Sequence, residues 1–318
     1  MMNRTVSIAP MMRYTDRHYR YLMRLMTKHT LLYTVMLTTS ALIQGDYKKL
    51  LAYNLEEHPL ALQLGGSHPQ ELATCAKMAE EFGYDEVNLN AGCPSDRVQS
   101  GQFGACLMKT PERVADCIFA MQSAVKIPVT IKTRIGVDEM DDYAHLHRLV
   151  ELVAHAGCKV FIIHARKAWL HGLSPAENRH IPPLRYEVVH QLKRDFPHLT
   201  IVINGGINAL EEIEAQLPYV DGVMLGRAAY HHPYLFSEVD TRFFGDTQSP
   251  LPQPAVIREF FPYIQAQLKK DIALHTLTQH LTGFFQGQNG ARRWRQTLSL
   301  GRSLNFPLLE AVLTSIGS

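Results

Sequence analysis

Cys93 stands in a setting that suits proton transfer. It lies between Gly92 and Pro94 in the stretch Asn-Leu-Asn-Ala-Gly-Cys-Pro-Ser, which begins at Asn88. Glycine and proline favour turns, so we expect the thiol on a loop after a strand. A positioned thiol can act as a general acid toward a reacting carbon. Spacing alone leaves open that Cys93 is an inert loop thiol.

The other cysteines suggest neither a disulfide framework nor a thiolate metal site. The chain has five cysteines, an odd number, and none are spaced as CxxC. We interpret Cys75, Cys117 and Cys158 as small buried hydrophobic residues. His231 and His232 are adjacent, but no carboxylate or cysteine stands at ligand spacing from them. We therefore expect no metal.

Two glycine-containing segments are typical of phosphate-binding loops. Gly205 and Gly206 follow one apolar run, and Gly226 and Arg227 follow the next. Glycine lets backbone N–H groups approach an anion closely, and arginine adds a charged fork. In (β/α)8 barrels, the loops after strands seven and eight frequently bind phosphate. The pattern therefore predicts a ligand that carries a phosphate.

Four further side chains suit a flavin as that ligand. A cation such as Lys132 near the flavin N1 and O2 stabilises the reduced anionic ring. Gln63 can both donate to and accept from a pyrimidine edge, and Met11 and Met12 offer flexible apolar surface. The alternatives are an interior ion pair for Lys132, a satisfied core amide for Gln63 and plain core packing for the methionines.

These residues follow short apolar runs that alternate with longer amphipathic stretches. Strands alternating with helices imply parallel pairing through right-handed crossovers. An open doubly wound sheet would usually show GxGxxG after its first strand, whereas the first run here ends in Ala-Pro-Met-Met. We predict an α/β fold, a (β/α)8 TIM barrel, with the site at its carboxyl-terminal mouth. The predicted strands are 6–9, 31–36, 60–64, 86–90, 129–133, 160–164, 200–204 and 222–225, and the clearest helices are 70–82, 111–124, 142–156 and 185–196.

The end of the chain is different in character. Three prolines within 247–254 indicate a linker, and no strand pattern follows them. Helical patterns cover 258–268, 275–285 and 292–304. We predict a barrel domain over 1–246 and a small domain of three or four helices over 247–318.

The amino-acid composition limits the classes of protein to which the chain can belong. Hydrophobic residues make up 46% of the 318 residues and charged residues 19%, which argues against disorder. The net charge is +2, so any nucleic-acid surface must be local. The chain lacks both an apolar run of about 18 residues and a signal-peptide pattern at its start. We expect a cytoplasmic protein, not a membrane protein, and a monomer.

The motifs together resemble those of the tRNA-dihydrouridine synthases. The resemblance covers nearly the whole chain, and the segment from His164 to Arg179 resembles the A-type subfamily in particular. Besides the Cys93 stretch, the matching segments are Ala-Pro-Met-Met from Ala9, Gln-Leu-Gly-Gly from Gln63, Gly-Gln-Phe-Gly-Ala-Cys from Gly101, Ile-Lys-Thr-Arg from Ile131, Ile-Asn-Gly-Gly from Ile203 and Met-Leu-Gly-Arg from Met224.

The resemblance implies FMN as cofactor, NADPH as electron donor and tRNA as substrate. The implied reaction delivers hydride to C6 of a D-loop uracil at position 20 or 20a, while Cys93 protonates C5. Asn90, three residues before Cys93, would bond the uracil edge. The implied FMN contacts are Pro10, Met11, Met12, Gln63, Lys132, His164, Asn204, Gly205, Gly206, Gly226 and Arg227.

A basic segment in the predicted helical domain is our candidate tRNA surface. Arg292, Arg295 and Arg302 fall roughly on one helical face, with Trp294 available to stack and Leu298 one turn beyond Arg295. The alternative is a solvated basic face without a partner. Further positive charge beside the barrel mouth comes from Arg166, Lys167, Arg179 and Arg185.

Two other functions fit part of this pattern. An FMN barrel oxidoreductase acting on a free pyrimidine would share the phosphate loops and Lys132 but would not need the basic tail. An RNA-binding protein that has lost catalysis would not need Cys93, Lys132 or the phosphate loops. The presence of all these features favours the enzyme acting on tRNA.

Overall fold

A sheet of parallel strands forms the centre of the molecule. The computed structural model describes residues 2–95, 98 and 101–316. The strands follow the order β1-β9-β8-β7-β6-β5-β4-β2, and β3 also pairs with β4. Their bounds are β1 Val6–Ile8, β2 Leu32–Tyr33, β3 Leu37–Thr38, β4 Leu60–Gly65, β5 Glu86–Ala91, β6 Val129–Arg134, β7 Val160–His164, β8 Thr200–Asn204 and β9 Gly222–Leu225.

The sheet closes into a barrel between its first two strands. The N–H of Ile8 donates to the carbonyl of Leu31 at 3.0 Å, and the N–H of Leu31 donates to the carbonyl of Val6 at 3.3 Å. β9 completes the ring by pairing in parallel with β1. The predicted (β/α)8 barrel is therefore confirmed.

Alternation along each strand separates the barrel interior from the shell of helices. In β5, Val87, Leu89 and Ala91 pack outward in the main core between strands and helices. Their neighbours Glu86, Asn88 and Asn90 point inward. A second, smaller apolar cluster fills the rest of the barrel interior, and its buried members are Ala9, Leu31, Tyr33, Ala61, Ile162, Val202 and Met224.

The helices between strands begin and end on ordinary capping signals. Asp142 accepts a hydrogen bond from the N–H of His145 at 2.7 Å and so caps the helix Tyr143–His155. Gly83 ends another helix with φ of 93°, where a side chain would be strained. The α-helices up to Phe243 are Arg17–Arg24, Thr39–Gln44, Tyr47–Leu51, Pro69–Phe82, Pro111–Ala124, Tyr143–His155, Tyr186–Asp195, Leu210–Gln216, Arg227–His231 and Val239–Phe243.

The predicted strand 31–36 forms as two short strands, β2 and β3. The N–H of Gln63 donates to the hydroxyl of Thr34 at 3.1 Å, so a side-chain oxygen replaces the expected backbone carbonyl there. This interruption of the ladder carries Met36 to the edge of the cavity described below.

The carboxyl-terminal region is helical, as predicted, although its helices differ in extent. Its α-helices are Gln253–Leu268, Leu274–Thr278, Ala291–Leu298 and Phe306–Ile316. The first starts five residues before the predicted 258 because Pro254 lies in the first turn, where proline is tolerated. A hydrogen bond of 2.7 Å joins Tyr263 in this helix to His18 in the helix Arg17–Arg24 of the barrel. The boundary at residue 247 stays a prediction. Among the described helices, none is long and apolar enough to cross a membrane.

Candidate active site

A cavity of about 410 Å³ opens at the carboxyl-terminal mouth of the barrel. Its size suits a cofactor or small ligand. Cys93, Asn90 and Arg179 line it together with all of the residues predicted to contact FMN, whereas Arg295 and Leu298 do not. Sequence reasoning gave no role to several other residues of its lining: Tyr14, Met36, Thr133, Arg134, Pro175 and Asn208.

The Cys93 turn is held on both sides of its backbone. Its N–H donates to Oδ1 of Asn90 at 3.0 Å, and its carbonyl accepts from the N–H of Ala105 at 2.9 Å. Gly104 permits the second contact, because a Cβ there would lie 2.6 Å from that carbonyl oxygen. The thiol is half-buried and lies 3.5 Å from Oγ of Ser95. The turn thus presents an accessible thiol to the cavity from a fixed backbone.

Arg134 ties this turn to the loop after β7. Its Nε donates to the carbonyl of Gly92 at 2.9 Å, and its Nη1 donates to the carbonyls of Lys167 and Asn178, both at 3.0 Å. Asn178 is fully buried and bonds the same loop at the Trp169 backbone. Side chains alternate between the two faces of a strand, so Arg134, two residues after Lys132, is expected in the mouth as well. Its three carbonyl partners could not be predicted from the sequence.

Lys132 is a partly buried cation in the floor of the cavity. Its Nζ donates to Oδ1 of Asn204 at 2.9 Å, and Nδ2 of Asn204 donates to the carbonyl of Met224 at 2.7 Å. The second bond fixes the amide so that its oxygen faces Lys132. Burial, with the nearby charge of Arg134, lowers the pKa of Lys132 to about 7. A bound anion would favour the charged form.

His164 shares this electropositive environment. Burial, followed by the charges of Arg134 and Lys132, lowers its pKa well below the usual value. The ring is therefore neutral near pH 7 and has one nitrogen that can accept a hydrogen bond.

The glycines after β8 and β9 shape the rim of the cavity. A Cβ at Gly205 would lie 2.5 Å from Cδ2 of His164, and a Cβ at Gly206 would lie 2.4 Å from Cδ1 of Leu184. Their φ values of 116° and 73° also favour glycine. A Cβ at Gly226 would meet only Ala9, at 4.0 Å, and so would project into open space.

Five positive charges around the mouth form no ion pair with a carboxylate of the described residues. Within the part of the chain that the structure describes, no carboxylate lies within 4.0 Å of Lys132, Arg134, Arg166, Arg179 or Arg227. Arg227 instead donates to the carbonyl of Arg179 at 3.3 Å and contacts the ring of His180. Clustered cations repel one another unless an anion joins them. Together with the open space at Gly226, this arrangement fits a ligand with a phosphate and an electron-rich ring edge.

Gln63 and Asn90 are already engaged with neighbouring side chains. Nε2 of Gln63 donates to Oδ1 of Asn88, and its Oε1 accepts from Nδ2 of Asn90, both at 2.8 Å. Each of the two amides therefore keeps one N–H that no described residue accepts and that a ligand could use.

The basic residues beside the mouth fall into two groups. Lys167 pairs with Asp141 at 3.0 Å, and Arg185 lies 3.5 Å from Glu187. Arg166 and Arg179 have no such acidic partner among the described residues, and Arg179 is exposed. Arg166 and Arg179 therefore keep positive charge that no carboxylate of the described residues neutralises.

The helix Ala291–Leu298 exposes its arginines and buries its apolar side chains. Arg292, Arg293 and Arg295 are exposed. Trp294 is fully buried, and its Nε1 donates to the carbonyl of Leu281 at 2.9 Å, so the expectation that it stacks on a base is wrong. Leu298 is only 7% exposed because it packs in the same core, and its burial does not support a contact with tRNA.

Clusters of potential metal ligands are few among the described residues. His29, Asp240 and Asp246 are the one group in the described ranges whose ligand atoms lie close together. Asp240 already accepts from Thr27 and from the N–H of Lys28, both at 2.5 Å. The group lies outside the cavity lining and contains neither His231 nor His232.

Comparison with known proteins identifies a family and relatives to which this chain is similar. A family model described as dihydrouridine synthase matches residues 7–314. A tRNA-dihydrouridine(20/20a) synthase of Shewanella oneidensis is 57% identical over 313 residues, which cover 98% of this chain and 92% of the relative. Relatives of the same description in Vibrio parahaemolyticus and Escherichia coli K12 are also 57% identical, over 92% of this chain and 90% and 85% of their own lengths.

A solved structure supports the fold alone. The complex of a 2-naphthoyl-CoA reductase with 2-naphthoyl-CoA aligns with a TM-score of 0.56 at 12% identity. The alignment covers 74% of this chain and 50% of that one.

Proposed function

Because the chain belongs to the dihydrouridine synthase family, we propose that it reduces specific uridines of tRNA to 5,6-dihydrouridine. Relatives 57% identical to it are described as acting at positions 20 and 20a, and these D-loop positions are the proposed targets. The observation that carries the proposal is the half-buried thiol of Cys93 on the wall of a cavity rich in unpaired cations.

Enzymes of this family are flavin-dependent, and we assign FMN to the cavity. The phosphate would lie against Gly205, Gly206, Gly226 and Arg227, which combine exposed backbone with a guanidinium. Lys132 and Gln63 would face the polar edge of the ring, beside His164 and Asn204. Pro10, Met11 and Met12 would supply the apolar contacts. When bound and reduced, by NADPH in this proposal, FMN supplies the hydride for C6 of the uracil.

Cys93 is the proposed acid that protonates C5 of the uracil. Negative charge that develops on C5 and the C4 carbonyl would be stabilised by the cations of the mouth, among them Arg134, which contacts the thiol's turn. The free N–H of Asn90 is available to the uracil edge, because its other polar atoms are bonded to Gln63 and to the turn. Asn90 would thus position both the substrate and the acid.

The tRNA must bring a stacked base into the cavity, so the uridine is proposed to be extruded. Arg179 and Arg166 would bind phosphates beside the mouth, and Arg295 on the helical region would bind them farther away. Such contacts predict marked salt dependence. A tRNA substrate supports a cytoplasmic location, and sedimentation with and without tRNA tests the expectation of a monomer.

The decisive experiment replaces Cys93 with Ala and measures dihydrouridine by nucleoside analysis of treated, unmodified tRNA. We expect FMN absorbance to be retained and product formation to fall by about 10²-fold or more. Cys106→Ala is the matched control, because Cys106 is also half-buried but does not line the cavity. Full turnover by Cys93→Ala, or activity on free uracil in place of tRNA, would contradict the proposal.

A further inference from the structure

A continuous chain of side-chain hydrogen bonds runs along the barrel interior beneath the cavity. It begins at Glu86, which is fully buried at the start of β5. Oγ1 of Thr130 donates to Oε1 of Glu86 at 2.5 Å, and Nδ2 of Asn88 donates to Oγ1 of Thr130 at 2.8 Å.

The chain continues upward to the thiol's turn. Nε2 of Gln63 donates to Oδ1 of Asn88, and Nδ2 of Asn90 donates to Oε1 of Gln63, both at 2.8 Å. Oδ1 of Asn90 then accepts from the N–H groups of Gly92 at 3.2 Å and Cys93 at 3.0 Å. All five side chains are at most 9% exposed, so water cannot readily replace these bonds.

The direction of every bond is fixed from the Glu86 end. A carboxylate can only accept, so the single proton of the Thr130 hydroxyl is committed to Glu86. Thr130 must then accept from the NH₂ group of Asn88, whose oxygen therefore faces Gln63. The same logic turns the oxygen of Gln63 toward Asn90 and the oxygen of Asn90 toward the backbone. Backbone N–H groups can only donate, so both ends of the chain require the same direction.

Glu86 is itself held by donors. Arg4 forms a buried ion pair with it, and the hydroxyl of Tyr33 donates to Oε1 at 2.9 Å. Burial and the Glu86 carboxylate raise the pKa of Tyr33, so Tyr33 remains a donor. These contacts support an acceptor-only carboxylate at the lower end of the barrel.

We propose that Glu86 and Thr130 are positioning residues that fix the Cys93 turn through this directional chain. The inference about the turn rests on the geometry, whereas its consequence for proton transfer rests on the proposed function. Without Glu86 or the Thr130 hydroxyl, the direction would be held only from the backbone of the turn, so the amides of Asn88, Gln63 and Asn90 could reverse more readily. A reversed Asn90 would point NH₂ at the N–H groups of Gly92 and Cys93 and release the turn.

The test is amide hydrogen exchange of protein labelled with ¹⁵N-cysteine. The five cysteines give one amide signal each, and Cys93→Ala assigns the signal of Cys93. In Thr130→Val, we expect exchange at Cys93 to accelerate about tenfold, the factor for one net hydrogen bond. The amides of Cys75, Cys117 and Cys158 should keep their rates. Thr130→Ser keeps the hydroxyl and should restore the wild-type rate at Cys93.

Thr278→Val is the matched control, because it also removes a buried threonine hydroxyl, one that donates to the carbonyl of Leu274 outside the chain. The double variant Arg4→Met/Glu86→Gln is a second test. The amide of glutamine can donate to Thr130 as well as accept from it, so residue 86 no longer fixes the direction, and a smaller selective acceleration is expected without an unpaired buried charge. An unchanged Cys93 rate in Thr130→Val and in the double variant, or equal acceleration of all the cysteine amides, would overturn the inference.

Activity provides a separate readout. In Thr130→Val we expect kcat for dihydrouridine formation to fall about tenfold with an unchanged KM for tRNA, and Thr130→Ser to recover it. A Thr130→Val enzyme with wild-type kcat would refute the catalytic consequence. If wild-type protein forms no dihydrouridine, the proposed function fails, while the exchange rates still decide whether the chain positions the turn.

Discussion

We expect the buried charge of Lys132 to lower the stability of the cofactor-free protein relative to a variant with an uncharged side chain at this position. An unfolded lysine has a pKa near 10.5, whereas burial and the charge of Arg134 lower the pKa of Lys132 to about 7. The folded protein therefore holds the Lys132 proton more weakly than the unfolded chain does. Replacing Lys132 with Met removes this penalty and keeps most of the side-chain volume.

The size and sign of the effect follow from this difference in pKa. Each pKa unit corresponds to about 1.4 kcal/mol, so the cost is at most about 5 kcal/mol below pH 7. Stability rises with pH wherever the unfolded state binds more protons, so the cost falls as the pH increases from about 7 toward 10.5. Solvent at the mouth screens part of it. We expect the wild-type protein to gain about 2 kcal/mol relative to Lys132→Met between pH 6 and 9.

Urea unfolding of both cofactor-free proteins at several pH values measures this difference directly. Addition of FMN should reduce the relative gain, because the polar edge of the ring would accept a hydrogen bond from the charged form of Lys132 and so favour it. Lys132→Met should also weaken FMN binding by about tenfold or more, the worth of a hydrogen bond to a charged group. If the two stability curves run parallel from pH 6 to 9, Lys132 does not titrate there and the reasoning is refuted.

Four further variants test the rim of the cavity, the helical region and the hydrogen bonds of Arg134. Gly226→Ala should weaken FMN binding with little change in stability, because its Cβ enters open space. Gly206→Ala should destabilise the protein by about 1 kcal/mol or more, because its φ is positive and its Cβ would meet Leu184. Equal melting temperatures of the two variants would contradict this. Arg295→Ala should lower tRNA affinity and reduce the salt slope by about 1, as measured by filter binding, with FMN affinity unchanged; an unchanged slope would remove Arg295 from the interface. Arg134→Lys keeps the charge, but lysine cannot reach all three carbonyls, so we expect the free energy of unfolding in urea to fall by about 2 kcal/mol. Wild-type stability would show that the hydrogen bonds of Arg134 to the three carbonyls are dispensable.

The fold was predictable because its main signal is periodic. Apolar runs at regular intervals require parallel strands, and one closed barrel satisfies eight of them. The split of the second strand was not predictable, because it depends on the hydroxyl of Thr34 meeting the N–H of Gln63 across the sheet. The helix Phe306–Ile316 lies beyond the last of the predicted helices, 292–304, and is the fourth α-helix of this region.

Some features of the candidate site were likewise predictable from the sequence, and others were not. Position at a strand end predicted that Cys93, Lys132 and the glycines share one cavity. Spacing could not show that Asn90 is bonded to Gln63 and to the Cys93 turn, because those bonds join three different segments. In the helix Ala291–Leu298, the helical repeat separated the exposed arginines but did not show that Trp294 faces the core.

Buried charges are paired with opposite charges at the amino-terminal end of the barrel but not at its mouth. This contrast indicates the position of the functional site better than any single residue does. At the amino-terminal end, Arg4 and Glu86 neutralise each other, and the Glu86 carboxylate also accepts from Tyr33 and Thr130. At the mouth, the cations have carbonyl, amide and imidazole partners but no carboxylate among the described residues. A buried pair without a ligand can be retained for structure, whereas an unneutralised cluster lowers the stability of the empty protein. The cluster therefore makes physical sense only with anions bound, and its position around Cys93 links those anions to proton transfer.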